Sequence, residues 1–463
     1  MNRALALPLL ALAACSVGPK YQRPDVQVPA ETRFAPPAKD GASIADLAWW
    51  ELFKDPVLQA LIREALQANQ DLALAVARVE EARAVAGVAR ADLYPQIGLS
   101  AAGSYGQQLP KSVTPGVGPS PVYSASLGVS WELDIWGRVR HLSDAGLANL
   151  LAQEDARRGV VLSLVSDLAQ AYLELRELDL ELEIARQNTA TRMGTLDLFT
   201  KRARGGIAND LEVNQARADL AVTAAAIPQT EWLIALKENQ ICVLLGRTPG
   251  PIPRGRALVD QVTPPELPAG VPAALLQRRP DLLQAEQVLV AANALVGVAV
   301  ADRLPTITLS GSVGLWSRSI PDLGSPEAIL WNLGAGLFAP IFQGGRLASA
   351  EEAARARYEQ AVASYRKTAQ TAFGEVSNAA IGHQKLRAVR LEQEIGVQAN
   401  SDAARLALHR YEGGVSGYLE VLDAQRQLFT AQLSLAQTQR DELATVIQLY
   451  RALGGGWQEP ARP

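Results

Sequence analysis

Catalysis needs reactive side chains brought together, and this sequence keeps its few apart. Three histidines, His141, His383 and His409, are scattered through 463 residues and none is near another, so a histidine-held catalytic metal is not expected. Two cysteines, Cys15 and Cys242, are too distant in sequence for a metal cage or a disulfide framework. Ser364-Tyr365-Arg366-Lys367 has the Ser-x-x-Lys spacing of acyl-serine enzymes, but it falls inside a long helical pattern with no companion motif. Cys242, in an apolar helical stretch, reads as a small buried side chain. The mature chain keeps one methionine, Met193, which speaks against a thioether relay for soft copper or silver ions. No acid–base pair, nucleophile or metal constellation emerges, and the chain reads as a non-enzyme without a cofactor.

One thiol does have chemistry written around it. Met1–Arg3 is a short positive start, Ala4–Ala14 is apolar apart from Pro8, and the stretch closes on Leu12-Ala13-Ala14-Cys15. The apolar run is too short to anchor a chain across a bilayer and reads as a signal peptide. Its end resembles a bacterial lipobox, in which the cysteine receives a diacylglycerol and, after cleavage, an N-acyl chain. Several acyl chains hold a protein on a membrane without a spanning segment. Ser16 stands where an aspartate would signal inner-membrane retention, so the outer membrane is expected. Past residue 14 no run of 18 or more apolar residues occurs, and no transmembrane helix is expected. Lys+Arg 44 against Asp+Glu 48 leaves no basic face for nucleic acid.

The elements that carry the rest come in two copies. Ala91-Asp92-Leu93-Tyr94-Pro95 aligns with Ala301-Asp302-Arg303-Leu304-Pro305, Gly205-Gly206 with Gly413-Gly414, Leu211-Glu212-Val213 with Leu419-Glu420-Val421, and Leu245-Gly246 with Leu453-Gly454. The offset holds near 208 residues, which marks a tandem duplication. The expected organisation is a signal peptide over 1–14, a lead-in over 15–55, a first repeat over 56–246, a Pro-rich linker over 247–272, a second repeat over 273–453 and a tail over 454–463. Residues 138–204 and 346–412 contain no proline, and in the second of these apolar residues recur in steps of three and four, as on one helical face. Sixty-seven residues make a helix of about 100 Å, deeper than a globular core and in need of helical neighbours along its length. Further helices are expected over about 209–246 and 418–453.

Between helices the period falls to two. Strands are expected over about 95–106, 123–134, 305–316 and 329–339. Each has an apolar and a polar face and the length of a tilted transmembrane strand. Trp131, Trp136, Trp316 and Trp331 lie in or beside them, where interfacial aromatics belong. Open strand edges are not tolerated in lipid, so four strands need further copies to close, and three chains would give twelve strands.

Cys15-Ser16-Val17-Gly18-Pro19-Lys20-Tyr21, Trp49-Trp50-Glu51-Leu52-Phe53, Arg278-Arg279-Pro280-Asp281-Leu282 and the stretch from Tyr411 to Leu428 resemble, in order, landmarks of the OprM/NodT-type outer-membrane efflux lipoproteins, relatives of TolC. The resemblance implies an α+β homotrimer: a twelve-stranded outer-membrane barrel continued by a long periplasmic α-helical barrel. It implies the exit duct of a tripartite pump, with a periplasmic adaptor (membrane fusion protein) and an inner-membrane transporter of the resistance-nodulation-division class as partners. A duct for protein secretion or metal export, or a lipid-anchored tether without a pore, are the alternatives. The resemblance places Gly205, Gly206, Ile207, Gly413, Gly414, Val415 and Ser416 at hairpin tips that meet the adaptor. It places Leu419, Glu420, Asp423 and Arg426 at a constricted periplasmic entrance, Leu419 as a plug and Asp423 as a carboxylate ring. It also implies that Glu212 pairs with the neighbouring hairpin, with Tyr411 as its partner.

Overall fold

The computed structural model describes residues 16–30, 43–52, 54–107, 118–206, 209–261 and 272–455. Cys15 and Ile207 fall outside them. Helices α1 (Pro56–Ala68) and α2 (Gln70–Ala91) lead into strands β1 (Gln96–Gly106) and β2 (Ser120–Leu133), followed by α3 (Arg138–Arg204) and α4 (Asp210–Leu244). The plan then recurs as α5 (Pro280–Ala301), β3 (Thr306–Ser317), β4 (Ile329–Phe338), α6 (Arg346–Glu412) and α7 (Tyr418–Ala452). Both long helices have the expected bounds, and each strand lies within three residues of expectation.

The two repeats do not fold as separate bodies. Among the described residues, one compact unit draws on 16–25, 78–154 and 284–366 and the other on 26–77, 155–283 and 367–455, so each draws on both repeats. In the first unit the reason is the sheet. Its order is β1-β2-β3-β4, all antiparallel, and β2 of one repeat pairs with β3 of the other. The register puts Leu99, Leu127, Val313 and Trp331 in one row, and Gly98, Gly128, Ser312 and Asn332 in the next. Alternation therefore gives one face of large apolar side chains and one that is mostly glycine and small polar groups, with Trp316, Leu330 and Phe338 toward its ends. The apolar face is open, with Leu99 79% and Leu333 83% exposed. Trp131 and Trp136 brace the strand ends, donating from their indole nitrogens to Leu93 O (3.1 Å) and Pro305 O (2.7 Å). Trp316 and Trp331 are exposed.

By length and composition alone helix α5 is apolar enough to cross a membrane, although, as expected, it holds no unbroken run of 18 apolar residues. Its alanines and valines raise the mean hydropathy, while Glu286 and Asn293 interrupt the run. Those two seat the lead-in: Tyr21 donates to Glu286 (3.1 Å), Arg23 pairs with the same carboxylate, and Asn293 donates to Pro19 O (3.0 Å). In the second unit the duplication is visible in single bonds. Asn69 Nδ2 donates to Leu244 O and Arg279 Nη1 to Ala452 O, both at 2.9 Å. Each ties the residue before its repeat's second or opening helix to the last turn of that repeat's final helix, satisfying an orphan carbonyl.

Candidate functional site

The candidate entrance is built where the two helical hairpins reverse. At the end of α6, Gly414 takes φ 75°, and the amides of Gly414 and Val415 donate to Tyr411 O and Arg410 O, both at 3.0 Å. This pair of bonds closes the helix and needs the left-handed residue that glycine supplies. Gly206 repeats the geometry at the end of α3, with φ 72° and its amide on Ala203 O at 3.0 Å. The following helices begin differently. Asn209 caps α4, accepting from Glu212 N (3.0 Å), while Glu212 Oε2 accepts from Asn209 N (3.2 Å), a reciprocal capping box. At α7 Gly417 offers no side-chain cap, and Glu420, the counterpart of Glu212, lies 3.7 Å from Arg410 Nε. Val415 is exposed at the tip, and Ser416 Oγ is enclosed without a hydrogen-bond partner among the described residues.

Leu419, Asp423 and Arg426 occupy the exposed face of α7, opposite Tyr418, Val421, Leu422 and Gln425. Leu419 is 68% exposed, and Asp423 accepts from Gln427, one turn on, at 2.7 Å. Arg426 also has a partner that sequence reasoning did not name. Its Nε donates to Asp219 Oδ1 of α4 at 3.1 Å, so a buried carboxylate holds it within the chain. Among the described residues no hydrogen bond joins Glu212 and Tyr411 within the chain. Glu212 is taken up by its capping box, and the Tyr411 ring packs edge-on against Phe199 (5.3 Å) and Tyr418 (6.0 Å).

Sequence reasoning missed what lies behind this face. Phe199, Tyr411 and Tyr418 form an apolar knot with Val421 and Leu422, and Arg202 stacks over the Tyr411 ring at 5.2 Å. Burial and the nearby Asp219 push the Tyr418 phenol up to about 12. Asp219 is 1% and Arg192 3% exposed, with Arg192 Nε 2.9 Å from Asp219 Oδ2. A signal was present: Ala185, Arg192 and Phe199 recur at seven-residue steps, and Ala216, Asp219 and Thr223 at three and four, so each charge sits on an apolar helix face.

The residue after Cys15 is held by the start of α3. Ser16 Oγ contacts His141 Nε2 (3.1 Å), which also bonds Val17 O (2.8 Å), and Val17 N donates to Trp136 O (3.0 Å). The first described residue thus lies at the turn from β2 into α3. Cys242 is fully buried, as expected of a small core side chain.

The sequence profile described as "Outer membrane efflux protein" matches residues 61–247 and again 271–455. The chain is 36% identical to the probable efflux pump outer membrane protein TtgC of Pseudomonas putida KT2440, over 98% of this chain and 95% of that one. It is 33% identical to the cation efflux system protein CusC of Escherichia coli O6:H1, over 97% of each. Among solved structures it resembles the outer-membrane channel OprN (TM-score 0.90, 32% identity, 96% of this chain and 100% of that one). It also resembles the open state of the Neisseria gonorrhoeae MtrE channel (TM-score 0.82, 31% identity, 96% and 99%). The chain belongs to the outer membrane efflux protein family. It is an α+β, non-enzymatic efflux channel protein of the outer membrane.

Proposed function

We propose that the chain is one third of the outer-membrane duct of a tripartite efflux pump, conducting drugs or other small molecules passively. One observation carries the reading: the four-stranded sheet leaves β1 and β4 without partners at its edges, among the described residues, and exposes one apolar face. Edges in lipid must be closed by other copies, and twelve strands are the smallest multiple that leaves an aqueous bore. Acyl chains on Cys15 anchor the N-terminus, beside the strand end where Ser16 sits. The tips at Gly205–Gly206 and Gly413–Ser416 receive the periplasmic adaptor, and a resistance-nodulation-division transporter supplies substrate and energy. Leu419 and Asp423, exposed on α7, form the narrow entrance, where a threefold carboxylate ring favours cations.

The test is single-channel recording of the purified lipidated protein in planar bilayers, with its mass in detergent measured alongside. A trimer with small, cation-selective steps that grow in Asp423→Ala supports the duct and its entrance. Steps indifferent to Asp423→Ala keep the duct and remove the ring. A monomeric chain, or an inserted trimer that never conducts even as Asp423→Ala, favours the pore-less tether.

A further inference from the structure

A carboxylate enclosed between two hairpins is shared by two guanidiniums that stand in different mechanical positions. Asp219 lies on α4. Arg192 lies on α3, in the same hairpin, and Arg426 on α7, in the other. Asp219 Oδ2 faces Arg192 Nε at 2.9 Å and Oδ1 accepts from Arg426 Nε at 3.1 Å. Any displacement of one hairpin against the other parts Asp219 from Arg426 and leaves Asp219 with Arg192. The two arginines also differ in burial. Arg426 is half exposed and can return to water, whereas Arg192 is enclosed, its Nη1 on Thr223 Oγ1 and its guanidinium 5.5 Å from the Phe429 ring.

We propose that Arg192 is a standing counter-ion for Asp219, a positioning residue that lets the entrance release Arg426 without leaving a buried carboxylate bare. A buried charge deprived of its only partner is strongly unfavourable, and a second cation in place removes most of that penalty. Arg192 and Arg426 touch the same carboxylate yet act with opposite sign: Arg426 holds the entrance closed, and Arg192 lowers the cost of opening it. Burial pushes the Arg192 guanidinium down from its usual value, Asp219 holds it up, and Arg426 pushes it down again. Departure of Arg426 therefore relieves a repulsion between the two cations and tightens the Arg192–Asp219 pair. The rival role for Arg192 is a simple clamp, because its Nη2 also reaches Gln425 O on α7 at 3.4 Å.

The inference rests on the reading of α7 as the gated entrance, and the test separates the two. Open probability is recorded in planar bilayers in the Asp423→Ala background, whose larger steps leave room for a decrease. Each variant is first shown to be trimeric and inserted. Arg426→Gln is expected to raise open probability about tenfold and Arg192→Gln to lower it by a similar factor. In Asp219→Asn the effect of Arg192→Gln disappears. Arg192→Lys keeps the charge and loses the fork to Gln425, so it stays within about twofold of its background; it also decides the matter if Arg192→Gln fails to assemble. An increase in opening with either Arg192 variant makes Arg192 a clamp and overturns the proposal. If Asp423→Ala, Arg426→Gln and Asp219→Asn all leave conduction unchanged, the entrance reading has failed, and this inference falls with it.

Discussion

At the scale of residues, burial decides what each charge does. Asp55 is fully enclosed, yet its carboxyl is held below the usual range. Burial works against ionisation, but Gln261 Nε2, Arg256 N, Val57 N and Leu58 N all donate to it, and Tyr172 adds its hydroxyl at 3.1 Å. Glu177 on α3 has no such cradle. Arg440 Nε is 3.5 Å away and is shared with Asp441, while Nη1 of the same guanidinium faces Glu174. Burial, reinforced by Glu181, Asp441 and Glu174, pushes the Glu177 carboxyl up to about 7 against the pull of Arg440. A carboxyl raised in the folded state binds its proton more tightly there than when unfolded. Stability is therefore lost as pH rises from the ordinary carboxylate range toward 7, and the loss is complete above that. The shift corresponds to about 3 kcal/mol. Glu177→Gln removes the titration while keeping the shape. Its far-UV melting midpoint should match the parent near pH 5 and exceed it by about 3 °C near pH 8. An equal midpoint at both pH values would mean that Glu177 reaches water or a partner in the assembled protein.

At the scale of elements, two glycines with the same backbone angle should respond differently to the same change. Gly414 has φ 75° with open space around it, and Gly246 has φ 72° with its missing Cβ aimed 2.1 Å from Ala68 O. Gly414→Ala carries only the left-handed strain, about 1 kcal/mol. Gly246→Ala adds a collision with backbone, and should cost about 3 kcal/mol or more in thermal or denaturant unfolding. Equal losses would show that α1 can yield to the added carbon. The reversals themselves were legible because glycine pairs recur in both repeats, and the long helices because a proline-free stretch with three-and-four spacing has no other reading. The partners at the candidate entrance were not legible. Glu212 and Glu420 are 208 positions apart, yet the first closes a capping box because Asn209 precedes it, and the second faces Arg410 because Gly417 stands where Asn209 would. Arg426 shares its exposed face with Leu419 and Asp423, but its guanidinium follows Asp219, whose position on the inner side of α4 depends on how two hairpins pack. Periodicity reports which face a residue occupies and is silent about which neighbour claims its charge.

At the scale of the whole molecule, the two faces of the sheet carry the commitment to lipid. A soluble sheet covers its apolar face, whereas here the row Leu99, Leu127, Val313 and Trp331 is exposed, and the opposite row is too small and polar to serve as a core. Adjacent residues on the edge strand β1 therefore have opposite fates in a closed barrel, Leu99 facing acyl chains and Ser100 the bore. An arginine on the lipid face near the midplane costs about 2–4 kcal/mol per chain, and threefold symmetry applies that cost three times. In the bore the same side chain is solvated. Leu99→Arg should sharply reduce the amount of trimer recovered from outer membranes, while Ser100→Arg should assemble at near parental yield and shift conduction toward anions. Loss of both would indicate that β1 is buried on each side by other protein, as in a soluble hairpin packed on helices. Normal assembly of Leu99→Arg with loss of Ser100→Arg would reverse the faces and turn the sheet inside out.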